Sequence, residues 1–295
     1  MLSSPVGGAD RSGSAGGNRK PRGDATSPPD RAQPPRRHAV GRREKTVPRV
    51  GGHAAVRPPD PATLACMERP YTILSCAMSV DGYIDDASPD RLRLSSEEDF
   101  DEVDELRARC DAILVGAGTV RRDNPRLLVR SAERRQRREA EGRPGHLLKV
   151  VLTENGELDP RARFFTTGDA GKIVYTASGT YPACVERFRD APDDVTVVDA
   201  GAPTDPARIL ADLGRRGVHR LLVEGGSRVH TLFLTAGLAD EIRLAVAPFF
   251  VGDADAPRFV DAGAFANGPD HPMRLAEART IGDIVVLRYL TGRPA

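Results

Sequence analysis

The chain has 295 residues, 29% of them charged, enough for one large domain or two small ones with a substantial buried core. Its formal charge of +1 hides an uneven distribution: residues 1–66 carry twelve Lys/Arg against five Asp/Glu, and the remainder carries 31 against 37. No window of eighteen apolar residues exists, so no membrane-spanning helix is expected. The four cysteines, at 66, 76, 110 and 184, form no C-x-x-C pair and have no histidine at a ligand spacing. They read as reduced cytoplasmic thiols, supporting neither a metal site nor a disulfide framework.

Residues 1–66 are rich in Gly, Pro, Ser and Arg, with almost no aliphatic clustering, so they cannot bury enough apolar surface to offset chain entropy. The pattern predicts a disordered basic tail, with Met67 as an alternative first residue and residues 67–295 as the folded domain. A nucleic-acid arm is the sharper reading, but no aromatic residues are interleaved to stack on bases.

From residue 67 onward, apolar runs of strand length alternate with amphipathic segments. "YTILSCAMSV" (71–80) is a strand, and "SSEEDFDEVDELRARC" (95–110) is a helix with a Ser cap and an acidic first turn. Phe100, Val103 and Leu106 give that helix a packing face. "AILVGAG" (112–118) is the next strand, and "RSAERRQRREAEGRPGH" (130–146) is a charge-dense surface helix or flap. Strands follow at 147–153, 172–177, 195–200 and 220–226, with helices at 207–217 and 227–238, the first stopping on Gly217. Strands at 240–252 and 283–290, joined only by a loop, form an antiparallel C-terminal pair. The architecture is an α/β sheet, mostly parallel, flanked by helices and finished by that pair.

Two strands empty into glycine turns, "LVGAGTVRRDNP" and "LLVEGGSRVH". Backbone N–H groups at such strand ends and helix starts suit an anion. A dinucleotide fingerprint fails because Arg121 stands where the third glycine is required, and no Gly-Lys-Ser/Thr exists for a P-loop. Glu224, following "LLV" at a strand end, is costly unless it binds something. His230 reads as packed or surface rather than catalytic.

Four segments, "MSVDGYI", "LRARCDAILVGAGTVRRDNPRL", "VEGGSRVHTLFLTAGLADEI" and "APFFVG", occur in an order that resembles the reductase domain of riboflavin biosynthesis. That family has a dihydrofolate-reductase-like fold and forms the carboxyl half of bifunctional deaminase–reductases. The resemblance implies NADPH held by the main chain at Met78 and Ser79, by Gly116, Thr119 and Asp123, and by the turn and helix start Gly225, Gly226, Ser227, Arg228, Val229, His230, Thr231 and Leu232. It implies a phosphoribosylamino-pyrimidine substrate contacted by Arg107, Leu127, Arg130 and Glu224, with Glu224 accepting from ribose hydroxyls. Hydride transfer to C1 of the open-chain sugar, a homodimer and no deaminase chemistry follow from the same likeness, since the H-x-E and P-C-x-x-C signature is absent.

The chain departs from the family at Ser75, where many members carry Lys, and at "DRLR" (90–93), where they carry Ser and where Arg91 or Arg93 could meet the phosphate instead. Ser178 is a candidate contact for a cofactor 2′-phosphate. The alternatives are a reductase of another pterin- or flavin-like heterocycle and a nucleotide-binding protein without turnover.

Overall fold

The computed structural model describes residues 69–292, apart from positions 89 and 193. The expected basic tail at 1–66 lies outside the described residues. Nine strands form one sheet: β1 (Tyr71–Ser79), β2 (Ala112–Gly116), β3 (Leu148–Thr153), β4 (Lys172–Thr176), β5 (Val195–Asp199), β6 (Arg220–Val223), β7 (Glu241–Ala247), β8 (Arg274–Ile281) and β9 (Ile284–Leu290). Their spatial order is β5-β4-β3-β2-β6-β1-β7-β9-β8, with every neighbouring pair from β5 to β7 parallel. The central strands are buried along most of their length rather than alternating, because helices cover both faces.

The helices are α1 (Glu97–Ala108), α2 (Ala117–Asp123), α3 (Ala132–Ala140), α4 (Arg163–Thr166), α5 (Tyr181–Arg187), α6 (Pro206–Arg215) and α7 (Ser227–Thr235). Ser96 caps α1 by accepting from the Asp99 N–H, and Asp205 caps α6, which opens on Pro206. At the far end of α6 the Val218 N–H donates to the Leu213 carbonyl at 3.0 Å, satisfying a carbonyl the helix would leave open. On one face of the sheet, Ile113, Val115, Val151, Phe164 and Phe165 form a core; on the other, Leu74, Leu114, Val223, Leu213 and Phe233 do. Each such side chain contributes about 1.5–3 kcal/mol on burial.

Three expectations need correction. The connection expected to be loop throughout 253–282 contains β8, whose residues alternate too weakly to signal a strand: only Ile281 is buried. The expected antiparallel pair stands as β7–β9, and β8 adds outside it through a hairpin that closes at Gly282-Asp283. The second glycine of "GAG" is not in a turn at all; β2 ends at Gly116 and α2 begins at once with Ala117. On α1, Leu106 packs on the core, but the buried residues are Asp99, Asp104 and Ala108, while Phe100 and Val103 face a cleft.

Candidate active site

Because β1, β2, β3 and β6 run in one direction, their carboxyl ends open together. There a cleft of about 1830 Å³ forms between α1, α2, the start of α7 and the segment 254–262. It is lined by twelve arginines against seven Asp/Glu, although the residues from 67 onward carry 31 basic against 37 acidic side chains. Positive charge is thus concentrated where the strands end, which focuses an anionic ligand there.

The α7 end of the cleft is built by close approach. A Cβ on Gly225 would lie 2.7 Å from Val229 Cγ1, and one on Gly116 would lie 3.0 Å from Val229 Cγ2. These two glycines let α7 seat against the ends of β2 and β6. Gly226 takes φ +81°, a left-handed conformation that favours glycine, and α7 has no side-chain cap. Its first N–H groups open toward the cleft that Gly226, Ser227 and Arg228 line, with Thr119 alongside Gly226. Gly225 itself lies outside the lining and serves packing. Thr231 is also outside it: its Oγ1 donates to the Ser227 carbonyl at 2.8 Å and accepts from the Asp261 N–H at 2.8 Å, tethering the 254–262 segment to the helix. Leu232 lines the cleft.

His230 lines the same region but is 1% exposed. Its Nδ1–H donates to the Phe259 carbonyl at 3.3 Å, its ring lies against Phe259, and Nε2 has no partner. Burial pushes its pKa down to about 4, so the ring is neutral and packed.

At the α1 side, Arg107 and Glu224 meet in a two-pronged ion pair: Nε donates to Oε1 at 2.8 Å and Nη2 to Oε2 at 2.6 Å, with both side chains 15% exposed. Burial works to lower the Arg107 pKa, but the Glu224 charge and hydrogen bonds override it and raise the value, keeping the guanidinium charged. Arg107 thus engages both Glu224 oxygens, and each oxygen keeps a further lone pair able to accept. Cys76 sits on the cleft floor; burial, then the charge of Glu224, pushes its thiol up to about 12, so it is no nucleophile.

Arg130 also lines the cleft, its guanidinium 5.4 Å from the Phe100 ring centre, and Arg93 lies 5.6 Å from the same ring. Arg93 pairs with Glu97 and Arg91 lies 3.7 Å from Asp123, whereas the guanidinium groups of Arg130, Arg126 and Arg228 form no salt bridge among the described residues, Arg130 acting on Asp101 only from a distance. Burial raises the Asp123 pKa against the opposing pull of Arg91. Leu127 lines the cleft at φ +48°, a conformation uncommon for a branched side chain and a strained device of the kind found at ligand sites.

Met78 and Ser79 are not among the lining residues. Met78 packs against the α7-side core, and the Ser79 main chain and hydroxyl are occupied by the turn through Tyr83. Ser178 is likewise outside the lining, its Oγ donating to Asp199 at 2.7 Å. Sequence reasoning passed over Arg243, Arg126 and Arg258, all of which line the cleft. The available signal was a charged residue inside the apolar strand "EIRLAVA", where an unpaired charge would be prohibitive.

A parallel sheet with its antiparallel terminal strands and a basic cleft at the strand ends defines a dihydrofolate-reductase-like oxidoreductase domain. Residues 70–287 match the model of the RibD C-terminal domain, and the chain belongs to that family of riboflavin-biosynthesis reductases. It is 38% identical over 198 residues to the 2,5-diamino-6-ribosylamino-4(3H)-pyrimidinone 5′-phosphate reductase of Archaeoglobus fulgidus, covering 67% of this chain and 89% of the relative. It is 35% identical over 224 residues to the protein of the same name from Methanothermobacter thermautotrophicus, covering 75% of this chain and 98% of that one. Among solved structures, a Thermotoga maritima diaminohydroxyphosphoribosylaminopyrimidine deaminase/5-amino-6-(5-phosphoribosylamino)uracil reductase superposes with TM-score 0.60 at 26% identity, covering 76% of this chain. This chain spans only 57% of that protein. A pyrimidine reductase-like protein of Corynebacterium diphtheriae, at 23% identity, TM-score 0.65 and coverage of 76% and 93%, shares the fold.

Proposed function

We propose that the protein reduces a 5-phosphoribosylamino-pyrimidine with NADPH, converting the ribosyl group to a ribityl group, as a cytoplasmic homodimer. The observation that carries the reading is the pairing, within one cleft, of an uncapped helix start with a separate arginine cluster. The first suits a dinucleotide's phosphates and the second a sugar phosphate, which is the arrangement a transfer between two bound molecules needs. The α7 turn at Gly226–Arg228, with Thr119 and Asp123 beside it, holds the cofactor. Arg130 supplies the unmatched charge for the substrate phosphate, while Arg107, matched by Glu224, offers its outward N–H groups.

Held at Gly226–Arg228, a reduced nicotinamide would supply a hydride for C1 of the open-chain sugar, and a solvent proton would go to the adjoining nitrogen. The chain's own contribution is orientation: Glu224 fixes the Arg107 fork, and the strained Leu127 segment presents Arg130. Substrate names carried by the relatives support a diaminopyrimidinone or an aminouracil ring.

Mixing the purified protein with NADPH and each ribosylamino-pyrimidine phosphate, and following loss of reduced-nicotinamide absorbance, tests the reading. Turnover of either pyrimidine is expected. NADPH binding with no turnover of either would leave the cofactor assignment and remove the substrate; absence of NADPH binding would remove both.

A further inference from the structure

The Arg107–Glu224 pair is not the only arginine–carboxylate pair on the cleft wall. Asp99 on α1 and Arg243 on β7 form a second, with Ser75 of β1 in direct register beside Arg243. Neighbouring strands lie about 4.8 Å apart, so the serine and arginine side chains share one small patch. All three residues line the cleft, and they are 0%, 7% and 6% exposed for Asp99, Arg243 and Ser75.

The patch is incompletely satisfied. Arg243 spends only Nη2, on Asp99 Oδ1 at 2.6 Å and Glu102 Oε2 at 3.5 Å. Its Nε–H and Nη1 N–H groups have no acceptor among the described residues, nor does the Ser75 hydroxyl have a partner there. Asp99 Oδ2 is buried and unpartnered. Buried polar groups are normally paired, so the buried, unpartnered Asp99 Oδ2 beside unspent guanidinium and hydroxyl donors on a cleft wall points to a ligand.

Charge decides which part of a ligand belongs there. Arg243 is already matched by Asp99 and Glu102, so a phosphate would meet carboxylates as well as the arginine. A neutral edge carrying one N–H and one C=O meets the open carboxylate oxygen with its donor and the open guanidinium donors with its acceptor. A pyrimidinone has that edge, its lactam. Resting on the functional reading above, we propose that Asp99, Arg243 and Ser75 form the subsite that binds the lactam edge of the substrate's heterocycle, separate from the arginines that take its phosphate.

The test compares the complete substrate with ribose 5-phosphate, which carries the sugar phosphate and lacks the heterocycle. Arg243→Lys keeps the charge beside Asp99 but removes the guanidinium fork. It is expected to raise the KM for the pyrimidine about 10- to 100-fold, the range for one lost hydrogen bond to a charged group. The inhibition constant of ribose 5-phosphate and the Kd of NADPH stay unchanged. The double variant Asp99→Asn/Arg243→Gln, which leaves no lone buried charge, is expected to behave in the same way and serves if the lysine variant does not fold. Parallel weakening of ribose 5-phosphate would place the patch on the sugar phosphate and overturn the assignment. Wild-type values for all three constants would reduce it to a tie between α1 and the sheet, which also overturns it. An unmodified protein that neither reduces the pyrimidine nor binds ribose 5-phosphate fails at the functional reading itself, a result distinct from either.

Discussion

Two sets of cations in this molecule do opposite things. Away from the cleft lining, Arg138 and Lys149 are buried and spend their N–H groups on main-chain carbonyls. Arg138 donates to Ala108 at 2.9 Å, Pro144 at 2.8 Å, and also to Cys110 and His146; Lys149 donates to Phe164 at 3.1 Å and Thr167 at 2.6 Å. At the carboxyl ends of the strands, the guanidinium groups of Arg130, Arg126 and Arg228 form no salt bridge among the described residues. The first set closes chain ends that the sheet and helices leave unsatisfied. The second keeps its charge available, which costs solvation balance but creates a place for an anion. Arg107 lies between: it faces the cleft and is matched by Glu224.

This division can be broken at each point. Arg138→Met should be the most damaging, leaving several buried carbonyls without donors and costing about 3 kcal/mol or more in urea denaturation. The folded fraction should still bind NADPH normally. If stability is unchanged, the carbonyl-spent cations are not what closes that region.

His230 gives the same lesson as a pH effect. Protonating it would create a buried cation with only main-chain carbonyls and no carboxylate to meet it. Its folded-state pKa, about 4, lies below the unfolded value near 6.5, so the unfolded chain binds the proton more readily. Its neutral packing is therefore fully present above pH 6.5 and is lost as pH falls from 6.5 through 4, by about 3 kcal/mol in all. His230→Asn should flatten that part of the stability-versus-pH curve; an unaltered acid limb would show that other groups govern it.

Glu224→Gln addresses the intermediate case. Here kcat/KM should fall about 100-fold because Arg107 loses its fixed orientation, and in an Arg107→Ala background the same change should add nothing. Full additivity would mean that Glu224 touches the substrate independently. The smallest expected effect is at the open cations: Arg130→Ala should raise substrate KM about 10-fold, with stability within about 0.5 kcal/mol of the unmodified protein and NADPH affinity nearly unchanged. A loss of cofactor affinity instead would move Arg130 to the other ligand.

The sequence by itself determined the alternation of strands and helices, the parallel sheet and the Ser96 and Gly217 helix boundaries. These depend on local periodicity and capping, which neighbouring residues carry. It also marked Arg107, Thr119, Arg130, Glu224 and Gly226 as residues of one site. Only the tertiary structure decided which of them touch one another. Glu224 and Arg107 stand 117 positions apart, and their ion pair is invisible until α1 crosses the end of β6. β8 escaped notice because an edge strand with a wet face has no apolar period to read. The Met78 side chain packs on a core and Ser79 closes a turn, and Arg243 gained its place in the cleft from register with Ser75 and an ion pair with Asp99 144 positions away. Pairings of that kind follow from how helices lie across strand ends, which no short stretch of chain encodes.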